Sequence, residues 1–254
     1  VTTIEAPTTD GVLTVGAAYD AVADHYDCAH HRPIDQAENR LVQDWLAPRI
    51  MDAVMAGDLI LDLGCGTGWL LDQMPVLAAR PLSYLGVDLS ERMLARLASK
   101  HPGFLVQQAD FMSHADLEGT ANLVLSLFGV PSYAGNIGTV LPRLCELVAP
   151  HGTLLAMFYT PRYSSRASYI LRREHLRVRW WGARVGGVAR IMARLPDDFH
   201  LVRIDGLNAW GDRLSDAPGA AGWLTAYLRL ERSLLAWSGL QDQGYFLLVE
   251  VKRD

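Results

Sequence analysis

The chain has 254 residues, half of them hydrophobic, and a formal net charge of −5. That length buries a substantial core and suits one α/β domain with an appendage, and the acidic balance disfavours a protein built around nucleic acid. Its three cysteines, Cys28, Cys65 and Cys145, are too scattered for a metal site or a disulfide framework, so no metal and a reduced, cytoplasmic setting are expected.

Residues 1–16 are aperiodic, contain Thr, Pro and Gly, and read as a flexible tail. Tyr19, Ala23, Tyr26 and His30 then recur at spacings of four, three and four, which predicts a helix carrying all four on one face, with His25 off it. A second helix over 36–54 turns Leu41, Trp45, Leu46 and Ile50 to the core, with Pro48 as a kink or an end. Residues 17–56 thus form a helical cap ahead of the first strand.

Leu59-Ile60-Leu61-Asp62-Leu63 has no polar face and reads as a central parallel strand buried on both sides. It runs into Gly64-Cys65-Gly66-Thr67-Gly68, then into Trp69-Leu70-Leu71, which can start a helix that Pro75 disturbs. Glycines at such a turn permit positive φ and leave backbone N–H groups facing a ligand. The spacing is not the Gly-x-Gly-x-x-Gly of a dinucleotide site, since Trp69 stands where a small residue is wanted, and no Gly-Lys-Ser/Thr follows for a phosphate loop. Asp62, two residues before the first glycine, would repel a pyrophosphate but suits a cationic ligand.

Asp62-Leu-Gly-Cys-Gly-Thr-Gly68 resembles the first motif of the class I S-adenosylmethionine-dependent methyltransferases. The resemblance implies an α/β, Rossmann-like seven-stranded mixed sheet of order 3-2-1-4-5-7-6, its last strand antiparallel, with helices on both faces. It implies S-adenosyl-L-methionine as cofactor, S-adenosyl-L-homocysteine as product, and cofactor contacts from Asp62, Gly64, Cys65, Gly66 and Gly68. The earlier Tyr19-Asp20-x-x-Ala-x-x-Tyr26-Asp27 pattern is similar to the segment that folds over the cofactor in many small-molecule members. Tyr19 and Tyr26 then join the cofactor contacts; the alternative is a capping helix whose tyrosines only pack.

Ser83–Asp88 reads as a second strand, its acid twenty residues past Gly68, a separation that lets a carboxylate take both ribose hydroxyls. The alternative for Asp88 is a turn residue. Leu89 follows, Ser90 is an N-cap for a helix over 91–100, and Met93 lies on its first turn, where the family packs adenine. A third strand over 104–109 ends in Asp110-Phe111, which the family resemblance assigns to the adenine amino group and to stacking on the ring.

A fourth strand, 121–127, leads into Phe128-Gly129-Val130-Pro131-Ser132-Tyr133, similar to the fourth motif of the small-molecule branch and of sugar N,N-dimethyltransferases. Asn122 departs from the aspartate common at that place, with a structural effect expected at most. The Asn/Asp-Pro-Pro-Tyr signature of amide N-methyltransferases is absent. Backbone at Ser126 or Leu127 is expected to meet the methionine part of the cofactor, and Phe128 and Tyr133 the methyl acceptor; core packing is the competing reading for both rings. A helix over 139–148, a turn at 149–152 and a fifth strand over 153–159 close the cofactor half, so family-like sequence covers roughly residues 17–160.

Residues 161–195 contain nine arginines against the single acid Glu174, with Trp180-Trp181 in the middle. They read as an insertion after the fifth strand in one domain spanning 17–254. Trp180 is a candidate substrate contact there, and a solvated basic face is the alternative. A strand over 199–204, a helix over 224–237 and a strand over 244–251 match the hairpin that ends the methyltransferase sheet. No apolar run reaches the ~18 residues of a membrane span and no basic-then-apolar leader opens the chain.

The cofactor's sulfonium methyl is already activated, so the protein's task is to align a nucleophile and exclude water. His30 is the candidate general base. The expected activity is methylation of a nucleophilic N, O or C atom of a small molecule, plausible in secondary metabolism and natural-product biosynthesis. The alternatives are a cyclase-like enzyme that keeps the cofactor structurally, and a nucleic-acid methyltransferase using the arginine segment.

Overall fold

In the computed structural model, which describes residues 15–29, 33–77, 79–113, 115–160, 188–208, 220–236 and 240–254, the apolar runs form seven strands. These are β1 (Leu59–Leu63), β2 (Ser83–Asp88), β3 (Leu105–Gln108), β4 (Ala121–Ser126), β5 (Val148–Tyr159), β6 (Phe199–Leu207) and β7 (Phe246–Arg253). They make one sheet in the order β3-β2-β1-β4-β5-β7-β6, as expected. The first five strands are parallel, and β7 runs antiparallel between β5 and β6. Hence β1 lies in the middle with both faces covered, which is why its sequence has no polar face.

One face of the sheet is covered by α3 (Pro33–Ala53), α4 (Trp69–Gln73), α5 (Glu91–Lys100) and α9 (Ala220–Leu235). The other is covered by α7 (Ile137–Glu146) and α8 (Val188–Met192), whose Ile191 is fully buried. Helix α3 continues through Pro48 to Ala53 and buries Leu41, Trp45, Leu46 and Ile50. Burying an indole of about 200 Å² removes apolar area worth up to ~5 kcal/mol from water. The Trp45 N–H donates to the buried Asp205 at 2.8 Å, and Arg49 stacks over the same ring at 4.2 Å while pairing with Glu250 at 2.9 Å. Two acids on the hairpin strands are thereby matched by donors from α3.

Several boundaries differ from the sequence reading. The first helix, α1 (Val15–Val22), begins inside the expected tail. The single helix expected from Tyr19 is interrupted by a 3-10 turn, Ala23–His25, before α2 (Tyr26–Ala29). The expected turn at 149–152 lies within β5: Val148 pairs with Ala121 and Thr153 already with Leu123, so β5 bulges outward there, with exposed His151 at φ 62°. A short helix, α6 (Val130–Ala134), was not foreseen. Residues 188–192 of the expected insertion are helical and packed on the sheet, whereas its segment 161–187 lies outside the described residues.

Candidate functional site

All five parallel strands end on one edge of the sheet, and the sequence motifs sit there. At the tip of β1, Gly64, Gly66 and Gly68 have φ of 71°, 54° and 94°, values that L side chains adopt only with strain. Two of them differ in what surrounds them. A Cβ on Gly64 would stand 2.4 Å from a Val130 methyl, so this glycine is required by packing. A Cβ on Gly66 would meet no heavy atom within 4 Å, so the loop presents bare backbone to open space.

Asp88, at the tip of β2, accepts the Gly66 N–H on Oδ2 and the Ser90 N–H on Oδ1, each at 2.9 Å. These bonds fix its carboxylate beside the glycine loop. Burial raises its pKa, those backbone donors oppose the rise, and Asp20 adds to it. Asp62 lies beneath the loop, 3% exposed, and accepts a 2.9 Å hydrogen bond from the Tyr84 hydroxyl. Desolvation is the main cause that brings its pKa to about 7; the Tyr84 bond pulls it down, and nearby Asp88 pushes it up. The Cys65 thiol is raised by burial and by the same two acids, so it is an inert packing group.

The N-terminal segment docks across this edge. Asp20 accepts from the Ser90 hydroxyl at 2.5 Å and from the Arg92 N–H at 3.1 Å, while Gly16 packs against Leu89. Asp27 accepts from the Thr67 hydroxyl in the glycine loop at 2.5 Å and lies 3.3 Å from Lys100 and 3.7 Å from Arg96. Its pKa is lowered: desolvation raises it, but Thr67, Lys100 and Arg96 together outweigh that. Tyr19 and Tyr26 meet edge-on at 6.0 Å. Desolvation is the largest cause raising the Tyr26 phenol well above its ordinary range, followed by Tyr159, Asp88 and Asp27, so it remains a neutral donor.

On the β3 side, Asp110 is exposed and accepts the Met112 N–H at 3.0 Å. Phe111 and Met93 are buried, whereas Leu89 is 44% exposed. Phe111 belongs to the core layer that holds Leu61, Leu63 and Val87, so its ring has a packing role of its own. On the β4 side, the fully buried Ser126 donates to the Leu63 carbonyl at 3.3 Å, tying the tips of β1 and β4 together. Leu127 is buried, and Phe128, at φ 51°, meets Trp69 edge-on at 4.7 Å.

Tyr133 on α6 faces Tyr159 at the tip of β5, hydroxyls 3.5 Å apart and rings nearly perpendicular. Tyr159, also in contact with Tyr245 and Phe246, was missed from sequence, as was the Asp27–Thr67 bond. Tyr159 ends a parallel strand, the one signal that could have selected it. Two expected site residues, His30 and Trp180, lie outside the described residues. Among the described residues no group of three or more His, Cys, Asp or Glu is gathered to hold a metal.

Neighbouring β1 and β4 feed loops that diverge, which makes their crevice the switch point where open α/β sheets bind ligands. Residues 60–152, from β1 into β5, match the methyltransferase domain family. No curated protein matches the sequence. The chain is similar in structure to an S-adenosylmethionine-dependent methyltransferase from Mesorhizobium loti (20% identity, 83% of this chain and 98% of that one, TM-score 0.55). It is also similar to the [4+2]-cyclase SpnF (15%, 99% and 99%, 0.62). A third similar structure is magnesium protoporphyrin IX methyltransferase (ChlM) from Synechocystis PCC 6803 with bound S-adenosylhomocysteine (18%, 87% and 86%, 0.53). The fold is thus the Rossmann-like methyltransferase fold. With the methyltransferase-domain match over residues 60–152, these likenesses support an enzyme of the class I S-adenosylmethionine-dependent methyltransferase type, with S-adenosylmethionine as the cofactor.

The residues present fit that cofactor. Bare backbone at Gly66 leaves room for it, the fixed Asp88 carboxylate suits a vicinal diol, and the buried Asp62 suits positive charge.

Proposed function

We propose that the enzyme methylates a nucleophilic nitrogen, oxygen or carbon atom of a small molecule in secondary metabolism, in the cytoplasm. The supporting observation is the wall beyond the glycine loop. It consists of two aromatic pairs, Trp69 with Phe128 and Tyr133 with Tyr159, of which Trp69, Phe128 and Tyr133 are only partly buried, apolar surface suited to dispersion contact with a compact organic molecule rather than to a phosphate backbone. When bound, S-adenosylmethionine supplies an electrophilic methyl group. Asp88 takes the ribose hydroxyls, Asp110, Phe111, Leu89 and Met93 surround the base, and the loop from Gly64 to Gly68 with Leu127 carries the remainder. Tyr19 and Tyr26 close the site from above, held by the Asp20 and Asp27 contacts, and exclude water.

The acceptor lies against Phe128 and Tyr133. His30 as its base and Trp180 as a further contact belong to this reading on sequence grounds. Residues 17–254 act as one domain, with 17–56 as its cap and 161–195 as an insertion after the fifth strand. No helix of the described residues is long and apolar enough to cross a membrane. The free thiols of Cys28, Cys65 and Cys145 suit a reduced compartment.

Calorimetric titration of the wild type and Asp88→Ala with S-adenosylmethionine and S-adenosylhomocysteine tests the cofactor half. Binding is expected to weaken at least tenfold in the variant, and an unchanged affinity refutes the role of Asp88. Transfer of labelled methyl to a panel of amines, phenols and electron-rich rings tests the other half. The likeness to SpnF favours a second reading, in which bound cofactor stays unreacted while a substrate is cyclised. Turnover of a substrate without label transfer would establish that reading.

A further inference from the structure

Trp69 carries a polar atom that the fold does not use. Its indole Nε1 is buried and has no hydrogen-bond partner among the described residues, although buried N–H groups nearly always have one. Trp69 is the first residue of α4, directly after Gly68, and its ring is held edge-on by Phe128. Phe128 in turn adopts a left-handed conformation that a non-glycine residue takes at a cost, a pattern concentrated at ligand sites. The pair therefore spans the crevice between the loops that follow β1 and β4.

The position of that crevice decides what the N–H can meet. With the adenosine over the tips of β2 and β3, at Asp88 and Asp110, the amino-acid end of the cofactor points the opposite way, toward β4. That end has an α-carboxylate. Asp62 and Asp88 repel it, so it needs another donor, and the indole N–H, packed on Phe128 of the loop that follows β4, is an unpartnered one there.

We propose that Trp69 Nε1–H is the donor for the α-carboxylate of the cofactor, with Phe128 setting the indole's orientation. The assignment rests on the proposed placement of the ribose at Asp88.

Trp69→Phe removes the N–H and keeps an aromatic ring. Titrate it and the wild type with S-adenosylhomocysteine and with 5′-methylthioadenosine, which shares the adenosine and lacks the amino-acid part. The variant is expected to lose about tenfold or more in affinity for the first ligand and to bind the second as the wild type does. A second measurement reads the wild type itself. Of the seven tryptophan indole ¹⁵N–H resonances, the one missing from Trp69→Phe, or assigned by backbone walk if that variant does not fold, should move downfield with S-adenosylhomocysteine and stay put with 5′-methylthioadenosine. Equal losses for the two ligands, or an unchanged affinity with an unmoved resonance, overturn the proposal. If instead Asp88→Ala binds both ligands normally, the ribose placement is what fails, whatever Trp69 does.

Discussion

Asp62→Asn should make the cofactor-free protein more stable, and by an amount that grows with pH. Asp62 is 3% exposed and its pKa rises from 3.8 to about 7, chiefly because burial penalises the carboxylate. Below pH 3.8 the folded and unfolded chains both hold the proton and there is no penalty. Between 3.8 and about 7 only the folded chain holds it, so stability falls as pH rises; above about 7 the loss is complete. At about 1.4 kcal/mol per tenfold, the penalty is roughly 2 kcal/mol at pH 5 and roughly 4 kcal/mol at pH 8, an upper bound on what the substitution returns. Asparagine keeps an oxygen for the Tyr84 hydroxyl and has no charge to desolvate. Urea unfolding of both proteins at pH 5 and pH 8 measures the difference. The same carboxylate favours a cation once ionised, so wild-type affinity for S-adenosylmethionine should rise through pH 7 and the variant's should not. A gain in stability equal at the two pH values, or none at either, would falsify the burial argument.

Gly66→Ala and Gly64→Ala separate ligand clearance from packing. The first should fold with a cost of about 1–2 kcal/mol for its φ of 54° and lose S-adenosylhomocysteine binding in calorimetry. The second must move Val130, 2.4 Å from the new Cβ, and should lose several kcal/mol in thermal unfolding. Asp27→Ala breaks the contacts with Thr67, Lys100 and Arg96. Because the ion pairs are about a third exposed and screened by solvent, global stability should change by only about 0.5–1 kcal/mol. Hydrogen exchange over residues 15–29 should nevertheless quicken clearly, and unchanged protection there would count against a docked N-terminal segment.

Where local rules acted alone, the sequence was read closely. The bounds of β2 and the Ser90 cap, whose hydroxyl accepts the Met93 N–H at 3.1 Å, follow from alternation and from the capping preference of serine. The glycine loop follows from φ values that side chains resist. Asn122 was expected to be structural, and its amide oxygen accepts the Leu59 N–H at 3.0 Å, linking β4 to β1 at the end away from the site. The sheet order came from the family motif together with the arrangement of elements rather than from any single strand.

Contacts between distant segments decided the rest. The turn expected at 149–152 became a bulge because β5 keeps its pairing with β4 on either side of it. The first helix begins earlier than periodicity indicated because Gly16 fits against Leu89, a residue from another strand's tip. Tyr159 reaches Tyr133, Asp27 reaches Thr67, and the Trp69 N–H finds no partner among the described residues, each for a reason of three-dimensional neighbourhood. Periodicity and turn chemistry are set by residues a few places apart and can be read along the chain. Which side chains share a site, and what burial does to the Asp62 carboxylate, depend on groups that only the folded sheet brings within a few ångströms.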